Sequence, residues 1–176
     1  MPIKRAAAAR SLWKDRFDSE RTLSNLVASL NDPQPAVRVA VAESIGRLRH
    51  NPSIATDALR NQIESETQAG KEVDWHLISA LAQLGTNARP AIPTLSELAV
   101  LTNRIGVAAA TALSQIEPEE SRWIDVLTAS LGREADWNAF FIEKSTGDFG
   151  PATMTDFAGD ALACVKFLKN RPEIKL

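Results

Sequence analysis

The sequence contains no tyrosine, one cysteine, two histidines and eight scattered glycines among its 176 residues. The single cysteine, Cys164, cannot close a disulfide within the chain, which predicts a reducing compartment, the cytoplasm. Two histidines and one cysteine are too few for the usual metal clusters, and no phosphate-binding glycine loop is present. We therefore expect no metal, no cofactor and no catalytic residues, so the sequence does not indicate an enzyme.

Long apolar runs are also missing. No stretch of about 18 apolar residues occurs, which predicts that the chain does not enter a membrane. The basic, Ala-rich start lacks the apolar region of a secretory signal. With 44% hydrophobic residues, abundant Ala and Leu and few β-branched segments, the chain is expected to fold as one all-α domain over residues 1–176.

The net charge of −2 is unevenly distributed along the chain. Residues 1–50 carry nine basic and five acidic side chains, whereas residues 117–160 carry three basic and ten acidic ones. Such polarity can orient a charged partner, or it can reflect ordinary solvated faces. Proteins that neutralise several phosphates have a marked basic excess, so the acidic balance of this chain argues against nucleic acid as a partner.

Three segments of the chain repeat one apolar pattern at helical spacing. When Ile45, Leu81 and Leu113 are aligned, at intervals of 36 and 32 residues, the neighbouring positions also agree. The matching sets are Val37, Val73 and Ile105; Ala42, Ile78 and Ala110; Ser44, Ala80 and Ala112; and Leu48, Leu84 and Ile116. Intervals of this length are typical of stacked helix pairs. The pattern predicts that each aligned helix is the second member of a pair.

A first helix is predicted before each repeat. The second pair would start at Asn51-Pro52-Ser53, with Ser53 as its cap, and the third would open at Pro90 and Pro93. A fourth pair would begin at Glu117-Pro118-Glu119-Glu120, whose carboxylates suit a helix N-terminus. The helical repeats are thereby expected to span 20–132.

Three further segments lie outside the repeats. Residues 1–18 are predicted to form an N-terminal capping helix, because terminal solenoid units must close an open core. Residues 133–151 form an aromatic and acidic insertion, and residues 152–170 are predicted to be the C-terminal helix. The insertion is expected to be a second contact site or a cap for the last pair.

The turn at Asp32, followed by Val37-Arg38 and then Ala42, Ile45, Gly46 and Leu48, resembles HEAT repeats, in particular the bacterial and phycobilin-lyase-type HEAT-like proteins. The resemblance covers 20–132 well, although only the first unit has the full Asp and Val-Arg signature. It implies a right-handed α-α superhelix of about four helix pairs with an N-terminal capping helix. It also implies that the Asp and Arg tie adjacent turns together and that the second helices line a concave groove.

A partner-binding ridge is predicted along that groove. Because helix geometry turns about 100° per residue, Trp75 points away from the apolar side of its helix. An aromatic anchor beside arginine is typical of interaction hot spots. The predicted contacts are Val39, Trp75 and Val107; Glu43, Ser79 and Thr111 one turn on; Arg38, Arg47, Lys71 and His76 as flanks; and Trp137 and Phe141 in the insertion. The alternative is that this stripe packs between neighbouring repeats.

Three functions remain open. The first is a non-catalytic scaffold or adaptor that binds a protein or peptide in the groove. The second is a nucleic-acid-binding or DNA glycosylase-like protein, in which Asp74 beside Trp75 would assist base excision. The third is a subunit of a lyase or other enzyme complex, whose exposed aromatics would cover a flat tetrapyrrole.

Overall fold

A computed structural model describes residues 1–12, 19–101, 103–120 and 122–123 of the chain. Within these residues the regular structure is entirely helical. The helices are α1 (Pro2–Leu12), α2 (Ser19–Ala28), α3 (Pro35–Leu48), α4 (Pro52–Gln68), α5 (Trp75–Leu84), α6 (Ile92–Ala99) and α7 (Arg104–Ile116), with a 3₁₀ segment (Gly85–Ala91) before α6. The predicted insertion (133–151) and C-terminal helix (152–170) lie outside the described residues.

The helices form two layers. In one layer α1 packs against α3, α3 against α5, and α5 against α7. In the other, α2 contacts α4 and α4 contacts α6, while α2–α3, α4–α5 and α6–α7 join the layers. This is the arrangement of a HEAT-like helical repeat, and three of the predicted helix pairs fall within the described residues. Helix α1 occupies a place in the layer of second helices.

The helices of that layer run in the same direction. Arg5, near the start of α1, contacts Asp32 just before α3, and the Ser44 hydroxyl near the end of α3 donates to the Ala9 carbonyl near the end of α1 at 2.7 Å. Each following second helix returns to this direction because an antiparallel first helix precedes it. The starts of α1, α3, α5 and α7 therefore lie along one edge.

The repeated apolar positions form the core, as predicted. Ile45, Leu81 and Leu113 are fully buried. The other residues of the aligned sets are also buried, except that Leu48 is half-buried. Small residues at the helix contacts let backbones approach closely: a Cβ at Gly46 would lie 3.1 Å from the Ala80 Cα of α5. The 3.6-residue period of the sequence thus places one equivalent seam in each pair.

Helix starts differ from the sequence predictions in several places. Helix α4 begins at Pro52, so its N-cap is Asn51, with φ of 42°, and Ser53 lies inside the first turn. The prediction of a Ser53 cap was therefore wrong. Pro90 lies in the 3₁₀ segment, and only Pro93 occupies the first turn of α6.

The region after α7 begins with a turn. Glu117 is the C-cap residue of α7, and its carbonyl accepts a hydrogen bond from the Glu120 backbone N–H at 3.0 Å. Residues 117–120, where the fourth pair was predicted to begin, are not helical, whereas residues 122–123 are. No helix in the described part of the chain is both long and apolar enough to cross a membrane.

Candidate interaction surface

One face of the second-helix layer carries half-exposed side chains at equivalent positions. Helices α3, α5 and α7 each bury their apolar seam and leave two aligned positions partly accessible. We call this face the candidate surface; its six residues are Val39, Glu43, Trp75, Ser79, Val107 and Thr111. Three neighbouring helices therefore present a strip of apolar and polar side chains, of which Glu43 is paired with Arg10 at 3.7 Å.

The predicted flanking residues have different environments. Arg47 and Lys71 are exposed, whereas Arg38 is half-buried. The Arg38 guanidinium donates to the Asp32 backbone carbonyl at 3.0 Å and to that of Pro33 at 3.5 Å. Arg38 thus holds the turn that precedes its own helix. Trp137 and Phe141 lie outside the described residues.

His76 is buried, with 5% of its surface exposed, so it does not flank an open groove as expected. The physical reason is its register. His76 stands four residues before the buried Ala80, and residues four apart share one face of a helix. His76 therefore lies on the apolar side of α5. That spacing was visible in the sequence and could have identified the burial.

A hydrogen-bonded network organises the start of α5. Asp74 is the N-cap, and its Oδ1 accepts the His76 backbone N–H at 3.0 Å and lies 2.7 Å from the His76 Nδ1. The Asp74 backbone N–H donates to Oε2 of Glu66 on α4 at 2.9 Å. Glu66 is itself buried, and its Oε1 accepts from the Gln62 amide at 3.1 Å. The network fastens α5 to the end of α4.

These contacts determine the ionisation of Asp74. Burial raises the pKa of Asp74, but the hydrogen bonds that it accepts from His76, with the more distant Arg38 charge, outweigh burial and lower that pKa below 3.8. Asp74 is therefore ionised at neutral pH. Because its Oδ1 already serves the cap and the imidazole, the arrangement gives Asp74 a structural role and does not favour base excision by this carboxyl.

A second set of ion pairs links the starts of the second helices. The Arg5 guanidinium donates to both carboxylate oxygens of Asp32, at 3.0 and 3.1 Å, and the Gln34 backbone N–H donates to Asp32 Oδ1 at 2.9 Å. The Arg5 hydrogen bond, followed by that from Gln34, lowers the pKa of Asp32. Asp32 thereby joins α1 to the turn before α3.

Similar charge interactions extend to the third helix pair. The Arg38 charge contributes to the lowered pKa values of both Asp32 and Asp74, so it acts on the turns of two successive units. Arg104 on α7 then donates to the Glu72 carboxylate at 2.8 Å. Sequence reasoning missed Arg5, Glu72 and Arg104, because these pairs join residues that are distant in the chain.

Comparison with known proteins addresses only the first part of the chain. Residues 2–70, which include α1 to α4, match a family model described as HEAT repeats. No curated protein and no solved structure gives a significant match. The stacked helix pairs continue beyond the matched segment through α7, so the described residues form a HEAT-like helical-repeat fold.

Proposed function

We propose that the protein is a non-catalytic scaffold or adaptor that binds another protein, or a peptide from it, on the candidate surface. The observation that carries the proposal is the alignment of half-exposed Val39, Trp75 and Val107 across three adjacent helices. Interaction sites favour an aromatic anchor surrounded by side chains that exclude water. HEAT repeats are commonly scaffolds of this kind, which agrees with the family match. The proposed groove is the concave side of the superhelix.

We also propose a subfamily and a cellular compartment for the protein. The Asp32 and Val37-Arg38 signature supports a bacterial or phycobilin-lyase-type HEAT-like protein. The lone Cys164 supports residence in the cytoplasm. A protein partner is favoured over nucleic acid because Arg5, Arg10 and Arg104 already form ion pairs with carboxylates.

Capture from a lysate of the source cells, with matched serine variants, tests the proposal. Ser79→Arg places a long cation on the half-exposed candidate surface, whereas Ser65→Arg places the same change on the exposed side of α4. A partner that binds the candidate surface is expected to be retained by the wild type and by Ser65→Arg, and lost with Ser79→Arg. Helical circular dichroism of both variants controls for folding.

Two results would contradict the proposal. Equal capture of the same proteins by all three chains would place binding elsewhere. Retention of DNA on a filter at low salt by the wild type would favour the nucleic-acid alternative.

A further inference from the structure

Trp75 is the largest side chain of the candidate surface, yet it is the first residue of its helix. Helix ends fray, so a side chain at this position needs support from outside its own turn. The structure supplies that support through an aromatic contact. The indole of Trp75 lies against the imidazole of His76, with ring centroids 3.8 Å apart and planes inclined by 31°.

The imidazole is itself held by Asp74. His76 is buried, and its Nδ1 lies 2.7 Å from Asp74 Oδ1, a short distance that is typical of a charge-assisted hydrogen bond. Asp74 in turn is fixed by the buried Glu66 through its backbone N–H. A continuous chain of contacts therefore runs from α4, through Asp74 and His76, to the Trp75 ring.

Geometry also selects the protonation state of the imidazole. The ionised Asp74 carboxylate only accepts hydrogen bonds, so Nδ1 must carry the proton that it donates. The other ring nitrogen, Nε2, is buried and makes no hydrogen bond within the described structure. A proton on Nε2 would therefore be an unsatisfied buried donor, which native proteins rarely tolerate.

We propose that Asp74 and His76 are positioning residues of the candidate surface, which place Trp75 through an imidazole held as the neutral Nδ1–H tautomer. The biological meaning of this placement rests on the proposed scaffold function. The placement itself is a property of the free protein and is tested without a partner.

Nitrogen NMR of the wild-type protein tests the tautomer. Long-range proton–nitrogen spectra distinguish the two neutral tautomers from the imidazolium, and a His76→Gln variant assigns the His76 signals. We expect His76 to show a protonated Nδ1 and an unprotonated Nε2 at neutral pH, with His50 as the comparison imidazole. A proton on Nε2, alone or together with Nδ1, would overturn the proposal.

Two substitutions separate positioning from helix capping. Serine is as good an N-cap as aspartate, but its shorter side chain does not reach the imidazole, and alanine provides neither function. Asp74→Ser is therefore expected to lower the melting temperature less than Asp74→Ala. Both variants are expected to shift the indole N–H signal of Trp75, which a Trp75→Phe variant assigns.

Asn103 provides the matched control. Its side chain caps α7 by accepting the backbone N–H groups of Ile105 and Gly106, at 3.0 and 3.2 Å. Asn103→Ala is expected to lower the melting temperature while the Trp75 signal stays in place. An unshifted Trp75 signal in Asp74→Ser would show that Asp74 is only a cap and would refute the positioning role. A failure of lysate capture would leave both NMR results unchanged, so the two proposals fail separately.

Discussion

Gly106 has no side chain, and this permits the close connection between α6 and α7. The backbone of Leu101, in the turn between α6 and α7, lies directly against Gly106 in the first turn of α7. A Cβ at this position would overlap the Leu101 carbonyl oxygen, and a backbone atom cannot move aside as a flexible side chain can. The connection from α6 to α7 therefore requires glycine here.

We expect Gly106→Ala to lower the free energy of unfolding by about 1–3 kcal/mol, the usual range for overpacking, despite the better helix propensity of alanine. Urea denaturation of the purified protein measures the change. Gln115→Ala, at an exposed position of the same helix, is the control and should stay within about 0.5 kcal/mol of the wild type. A Gly106→Ala protein as stable as the wild type would mean that the turn relaxes freely.

The starts of the second helices differ from one another, although the helices themselves are equivalent. Helix α3 has Gln34 at its N-cap without a side-chain hydrogen bond, α5 has Asp74, and α7 has Asn103. At α5 the capping carboxylate also contacts the His76 imidazole, and the Asp74 backbone N–H donates to Glu66 of α4. The cap of α5 is therefore the most pH-sensitive of the three.

Acid should weaken the protein through this cap. Because the folded pKa of Asp74 lies below its unfolded value near 3.8, the stabilisation is complete above that pH and is lost as pH falls through the folded pKa. Asp74→Asn keeps a capping side chain but cannot ionise, so it should be less stable than the wild type at neutral pH. The difference in unfolding free energy should shrink as the pH falls below 3.8.

Urea titrations of both proteins at several pH values check this expectation. Asp32, whose pKa is also lowered, is present in both proteins and cancels in the comparison. A difference that stays constant with pH would show that the ionisation of Asp74 does not contribute to stability.

At the scale of the whole molecule, the main contacts of each described second helix within its layer are with the helices next to it. Helix α5 packs against both α3 and α7, whereas α1 packs against α3. In such arrays stability is approximately the sum of unit stabilities and nearest-neighbour contacts. A destabilising substitution in α5 should therefore weaken the adjacent helices α3 and α7 more than it weakens α1.

Leu81→Ala, which removes a fully buried side chain from the seam of α5, should lower the free energy of unfolding by about 2–5 kcal/mol. Hydrogen exchange followed by mass spectrometry should show reduced protection in α3, α5 and α7, and a smaller reduction in α1. Equal loss of protection in all four helices would indicate one closed cooperative bundle.

The sequence allowed the array to be predicted because its core repeats. Ile45, Leu81 and Leu113 each stand in a stretch of apolar residues at helical spacing. Such spacing can be read from neighbouring residues alone, and it identifies the buried face of the helix. The same spacing, counted from Ala80, places His76 inside. The hydrogen bond that the Asp74 carboxylate accepts from the His76 ring depends on side-chain geometry, and the contact of Arg5 with Asp32 joins distant segments. No local sequence pattern contains either.

The common direction of α1, α3, α5 and α7 has an electrostatic consequence. Aligned peptide dipoles give each helix a partial positive charge at its start and a partial negative charge at its end, so parallel neighbours repel at both edges. Carboxylates occupy the starting edge at Asp32, Glu72 and Asp74, and arginines occupy the last turns of α1 and α3 at Arg10 and Arg47. These charges offset the dipoles at the ends of α1 and α3 and at the starts of α3 and α5, whereas α7 starts with a neutral Asn103 cap and has no basic residue in its last turn.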